Sequence, residues 1–220
     1  MDNVTFHLGG TFRRDSMCGR VILESNFQDI LKRYMVQEYN RFEYKKGEGF
    51  PGDNLPVIIK ENKKMADVFL WGFLLDNKRV INARSETILD KPLFKNAFLS
   101  GRCIVPVNGF FEWKNEKDKK IKYRITLKDE DIFSLAGIYR DFKDKDGSIK
   151  RCVTILTTEP NDDMREIHNR MPVIIDEKDE ELYLYEGFDK SIMDLLKPFE
   201  NGRLVIKRED RVRYENVSFL

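Results

Sequence analysis

The sequence predicts a single-domain α+β fold, a mostly antiparallel, barrel-like sheet with a few peripheral helices. Three observations carry this expectation. The 220 residues are enough for one substantial core and short of what two ordinary domains need. Most apolar residues fall in short runs bounded by turn signals, as strands do, and helical spacing recurs only in brief stretches. Neither an internal repeat nor an interdomain linker interrupts the chain.

The elements follow in order. Val21-Ile22-Leu23 reads as a short strand, and Ser25 followed three residues later by Gln28 is a capping-box signal for a helix. Phe27, Ile30, Leu31 and Tyr34 recur at helical spacing, so that helix covers a core. Gly47, Gly49, Pro51 and Gly52 mark Tyr39 to Asn54 as a loop. Val57-Ile58-Ile59 and Val68 to Trp71 read as paired strands across a polar turn at Asn62 to Lys64. Phe94, Ala97 and Phe98 point to a short helix beyond Pro92. The stretch from Cys103 to Trp113 is the most apolar, broken by Gly109 and by one acid, Glu112, and the mixed-sign run Lys114 to Lys122 reads as a solvated turn.

Tyr123 to Leu127 and Ile132 to Tyr139 read as a hairpin around Asp129-Glu130-Asp131, and Asp146-Gly147 marks a second turn into Cys152 to Thr157. Glu159 to Ile167 is expected to be helical, Val173 to Ile175 a strand, and Asp176 the N-cap of a helix over Glu177 to Tyr185. A short helix at Ile192 to Leu196 and strands at Leu204 to Ile206 and Val212 to Val217 complete the chain.

Composition narrows the function. Charged residues make up 35% and the mean hydropathy is -0.53, yet 16 Phe, 8 Tyr and 2 Trp supply a globular core. With a formal net charge of only +1, binding to nucleic acid would rest on a local basic patch. Three cysteines without a C-x-x-C give no disulfide framework and point to a reducing, cytoplasmic setting. The two histidines, His7 and His168, are far apart, so a zinc site would need scattered ligands, and no metal is expected. No apolar run approaches the ~20 residues of a membrane span or serves as a signal-peptide core.

Residues 1–16 look unlike the rest, and Met17-Cys18-Gly19-Arg20 has the form of a translation start. The opening segment is expected to be a leader or an upstream untranslated stretch absorbed into the reading frame, with the domain over 17–220. Arg13-Arg14 can be encoded by the purine run that recruits bacterial ribosomes. Were Met17 removed as an initiator, Cys18 would carry a free α-amine beside its thiol. That pair closes a five-membered ring on an aldehyde, which an internal cysteine, whose nitrogen is an amide, cannot do. An α-amine near 7.7 to 8.0 is neutral at pH 7 more than ~100 times as often as a lysine near 10.4.

Polar residues planted among apolar ones are the other candidates, because burying an unpaired polar group costs roughly 1 to 3 kcal/mol. Glu112, between Phe111 and Trp113, is either a buried acid of raised pKa or an outward-facing residue on a one-sided strand. His168 adjoins Asn169 and Arg170 and is either an acid–base or a satisfied structural histidine. Asn82 and Arg84 would share a strand face and could hold a phosphate or sugar oxygen, or else form an ordinary turn. Arg20, Arg102 and Arg170 carry forks that suit phosphate, and Trp71, Phe94 and Trp113 supply stacking faces or core. Cys103 and Cys152 read as inert buried thiols.

Taken in order, Met17-Cys18-Gly19-Arg20, Trp71-Gly72, Asn82 to Thr87, Arg102 to Pro106, Gly109 to Lys114, Ala136 to Tyr139, Thr157 to Asn161 and Ile167 to Val173 resemble the SOS response-associated peptidase family. Its members shield abasic sites in single-stranded DNA. The resemblance runs from Met17 to about Asn216. It implies that Cys18 is the nucleophile joined to the ring-opened abasic sugar as a thiazolidine, with Asn82, Glu112 and His168 at the active site. It further implies Arg20, Arg84 and Arg170 on phosphates, and Trp71 and Phe94 beside the lesion. The expected partner is single-stranded DNA containing abasic sites, with no cofactor, by a cytoplasmic monomer that is nucleoid-associated when bound. A cysteine-dependent peptidase that removes its own leader is the alternative the family name carries.

Overall fold

The computed structural model describes residues 18–40, 43–75, 78–117, 119–143, 147–185 and 187–209. The segment through Met17, Asp146, and the strand expected from Val212 to Val217 lie outside them.

Strand β1 (Val21–Leu23) leads into helix α1 (Phe27–Arg33). The capping box is real but one residue later than expected. Asn26 Oδ1 accepts from the Asp29 N–H at 3.0 Å and Asp29 Oδ2 from the Asn26 N–H at 3.2 Å. Ser25 is spent elsewhere, on Asn108. The expected loop starts on the last residue of β2 (Glu38–Tyr39) and contains β3 (Gly47–Gly49), and the paired strands follow as β4 (Asn54–Lys60) and β5 (Lys64–Trp71). Next come β6 (Phe73–Leu75), β7 (Lys78–Val80), β8 (Asn82–Arg84), a 3-10 turn (Ser85–Thr87) and α2 (Pro92–Ser100).

The apolar stretch divides at Asn108 into β9 (Arg102–Val107) and β10 (Gly109–Glu116), followed by β11 (Lys119–Leu127), β12 (Phe133–Lys143) and β13 (Ile149–Thr158). After these come α3 (Asp162–Arg165), shorter than the expected helix because Asn161 caps it late, and β14 (Met171–Pro172) and β15 (Ile174–Ile175). Helices α4 (Glu180–Leu184) and α5 (Lys190–Asp194) and strand β16 (Leu204–Glu209) end the described chain. Asp176 precedes a 3-10 turn (Glu177–Asp179) but caps nothing with its side chain, which accepts instead from Arg203.

Strands β13, β12, β9, β4 and β5 pair antiparallel in that order, and a parallel pairing of β13 with β5 closes them into a five-stranded barrel. A second sheet has the order β16-β11-β10-β1-β3. The two faces of the barrel wall feed two cores, as strand alternation requires. Leu55, Val57, Ile59, Cys103 and Val105 join Val21, Phe110 and Ile125 of the second sheet. Ile58, Ile104 and Ile138 join Ile30, Phe98 and Tyr183 of the helices.

Two sequence expectations fail for a common reason, that charge and turn signals mark chain reversal without saying which strands pair. Lys114 to Lys122 is not a turn but two strand legs, paired Glu116↔Lys119 through Trp113↔Lys122, polar because they face solvent. Tyr123 to Leu127 and Ile132 to Tyr139 do not form a hairpin: β11 pairs with β10 and β16, while β12 pairs with β9 and β13. The chain changes sheets there, and Asn108 ties the crossing. Its Oδ1 accepts from the Glu24 and Ser25 N–H groups at 2.7 and 3.0 Å, and its Nδ2 donates to the Asp131 carbonyl at 2.7 Å. Asn108→Ala, which hands these partly exposed backbone groups to water, is expected to cost about 1 to 2 kcal/mol, read as a lowered urea midpoint at unchanged slope.

Candidate active site

Cys18 precedes β1, which lies between β10 and β3. Val21 faces Phe110, and the Phe111 N–H donates to the Arg20 carbonyl at 3.0 Å, which carries the pairing on toward Gly19 and Glu112. Gly109 allows this close packing, since a Cβ there would come within 2.6 Å of the Ile125 carbonyl oxygen. Strand β8 pairs parallel with β13, and from it Asn82 Nδ2 donates to the Cys18 carbonyl at 3.3 Å. Asn82 is buried and Arg84 exposed.

Glu112 is 1% exposed, and no hydrogen bond reaches its Oε1. Burial pushes its carboxyl up to about 8, against a smaller pull from the backbone N–H groups of Cys18 and Trp113. The same surroundings push the Cys18 thiol well up, burial first and the Glu112 charge second. His168 follows α3, its N–H bonded to the Met164 carbonyl at 2.9 Å. The Arg170 N–H donates to His168 Nδ1 at 3.2 Å.

A cleft of about 450 Å³ opens at this place, lined by Arg20, Phe50, Glu112, Trp113, Lys120 and His168 among others. The Arg20 guanidinium lies 3.9 Å from the Phe50 ring centre and 5.5 Å from that of Trp113. Glu48 accepts from Arg20 at 2.8 Å and also pairs with Lys122, so the rim keeps a net positive charge with exposed Lys120 beside it.

The structure therefore gathers Glu112, His168 and Arg20 on one cleft, with Cys18 buried against Glu112 and bonded by Asn82. Other expected contacts are engaged elsewhere. Trp71 is fully buried, its Nε1 donating to the Ile81 carbonyl at 3.1 Å, and offers no face for a base. Its backbone anchors the loop that presents Phe50, through Gly52 at 2.9 Å and Asp53 at 2.8 Å. Phe94 packs on Phe73 in the helix-side core. The Arg102 fork is spent on the Phe98, Tyr183 and Gly187 carbonyls, closing the ends of α2 and α4. Arg170 is paired with Glu86. The sequence reading missed Phe50, Pro51, Asn115 and Lys120 at the cleft; an aromatic–proline pair inside a glycine-rich loop was the available signal for the first two. Among the described residues no three His, Cys, Asp or Glu side chains cluster as a metal site, and no helix is long and apolar enough to cross a membrane.

A closed barrel that brings a buried carboxyl and an imidazole to one cleft, with a cysteine and an amide buried beside them, defines an α+β protein with a polar site next to Cys18. Comparison with known proteins makes the assignment specific. Residues 17–212 match the family model described as SOS response associated peptidase (SRAP), and the chain belongs to that family. It is 35% identical over 198 residues to the abasic site processing protein YoqW of Bacillus subtilis, covering 84% of this chain and 88% of that one. It is 39% identical over 171 residues to the abasic site processing protein YoaM of the same organism, covering 72% and 75%. A crystal structure of a Bacteroides thetaiotaomicron protein superposes with a TM-score of 0.78 at 30% identity, over 88% of this chain and 93% of the other.

Proposed function

We propose that this protein processes abasic sites in single-stranded DNA, and that it does so by covalent attachment through Cys18 once Cys18 is the first residue. The observation that carries the reading is the placement of a buried carboxyl, Glu112, against the Cys18 backbone nitrogen at the foot of a cationic, aromatic-rimmed cleft. The names of the relatives supply the lesion.

The ring-opened abasic sugar presents an aldehyde. Glu112 takes a proton from the Cys18 ammonium, and the neutral amine adds to the aldehyde carbon. Glu112 then returns the proton to the departing hydroxyl, so that water leaves and an imine forms. The thiol adds to the imine carbon and closes the thiazolidine, so the net change is loss of one water. Asn82 steadies Cys18 through its carbonyl, and His168 supplies or takes the proton at the opened sugar hydroxyl. Arg20 and Lys120 suit phosphates, and Phe50 and Trp113 suit bases at the rim. The test is to incubate the Cys18-terminated protein with single-stranded DNA holding one abasic site and to look for a band that survives denaturation. Its absence would end the reading. Within it, Trp113→Ala is expected to weaken retention of the DNA by about 1 to 2 kcal/mol, roughly 5- to 30-fold in Kd, whereas Trp71→Phe should leave retention unchanged.

A second reading shares the site. While Cys18 is preceded by Met17, Glu112 faces the nitrogen of the bond that joins them. When the Cys18 thiol adds to the Met17 carbonyl carbon, a carboxyl that keeps its proton up to about pH 8 is placed to protonate that nitrogen as it leaves, and water then hydrolyses the thioester to free the leader, as a self-processing peptidase requires.

A further inference from the structure

Glu86 lies in the 3-10 turn after β8 and does not line the cleft. Its Oε1 accepts from Arg170 Nη1 at 2.6 Å and its Oε2 from Nη2 at 2.9 Å, the bidentate geometry of the strongest carboxylate pairs. Nη2 also donates to the Thr157 carbonyl at 2.7 Å, and the Arg170 side chain is only 11% exposed. Three segments are thereby tied together: the one carrying Asn82, strand β13, and the turn carrying His168.

That turn offers His168 Nδ1 two alternative partners. The Arg170 N–H lies 3.2 Å and the Arg170 carbonyl 3.3 Å from the same His168 Nδ1. An N–H group has only a donor role, so when it faces Nδ1 the ring proton sits on Nε2. When the carbonyl faces Nδ1, the proton belongs on Nδ1. Both contacts fall within hydrogen-bond range, and the N–H contact, the shorter of the two, favours the proton on Nε2. A small rotation of residue 170 would exchange the two tautomers, and the fork on Glu86 opposes such a rotation.

We infer that Glu86 is a positioning residue: by gripping Arg170 it holds the 168–170 turn in the orientation that keeps the His168 proton on Nε2, available to the opened sugar. The inference rests on the His168 role proposed above.

The Cys18-terminated form contains a single histidine, because His7 is lost, so its ring nitrogens are read without ambiguity by long-range proton–nitrogen NMR. The wild type should show the Nε2-protonated tautomer. Glu86→Ala should show a mixture and form the DNA linkage about tenfold more slowly, part of the ~100- to 10,000-fold that a positioned acid–base contributes. Glu86→Gln, which keeps one acceptor for Arg170, should fall between. An unchanged ring spectrum in folded Glu86→Ala would overturn the inference; should that variant not fold, an unchanged spectrum in Glu86→Gln would do so. If the DNA reading fails instead, the wild type makes no linkage while the spectral change remains.

Discussion

In the full chain, the stability advantage of Glu112→Gln over the wild type is expected to grow by about 1.4 kcal/mol per pH unit between roughly pH 5 and 8. Glu112 is raised from 4.5 to about 8 by burial. Between those values the unfolded carboxyl has lost its proton while the folded one retains it, so folding takes up a proton and wild-type stability falls as the pH rises. Above about 8 the penalty is complete and the curve levels. Glutamine does not titrate, and whatever its amide costs in the site is the same at every pH, so the slope of the difference is diagnostic. Urea unfolding from pH 5 to 8.5 measures it, and a difference independent of pH would mean that Glu112 is not held protonated. In the Cys18-terminated form the slope should shrink, because an α-ammonium beside the carboxyl favours its charged state. The same substitution should slow linkage formation by about 100-fold, since the proton carrier for addition and dehydration is lost.

Cys18 gives the second large effect. Cys18→Ala keeps the α-amine and removes the sulfur, so only an imine can form, and no band should survive hot denaturation. Borohydride added during the reaction should recover the link in Cys18→Ala by reducing that imine, and should be unnecessary for the wild type. Recovery without borohydride in the alanine variant would show that sulfur has no part in the stable product.

The strands were legible where apolar runs were short and bounded, as in the β4–β5 pair, because the loss of one residue of register would flip a whole face out of the core. Pairing across long separations was not legible. Nothing local says that the Asp129–Asp131 turn changes sheets, because the tie comes from Asn108, 23 residues away. At the site, Glu112 stood out as an acid among aromatics, and its burial follows from sharing a face of β10 with Phe110, which lies in the core. The aromatics could not be sorted in the same way. Trp71 and Trp113 both end apolar runs, yet one is enclosed by the barrel and the other borders the cleft, and only the closure of β13 on β5 decides between them. Arginine was equally ambiguous: Arg102 meets the Tyr183 carbonyl and Arg170 the Glu86 carboxylate, partners that lie 81 and 84 residues distant.

The most direct test is the mass of the product formed by the Cys18-terminated protein and an oligonucleotide with one abasic site, followed by mapping of the linked peptide. The expected mass is the sum of the two reactants less one water, with the link on the first residue and its thiol no longer open to alkylation. A product linked through any other residue, or one whose Cys18 thiol still alkylates, would contradict the account.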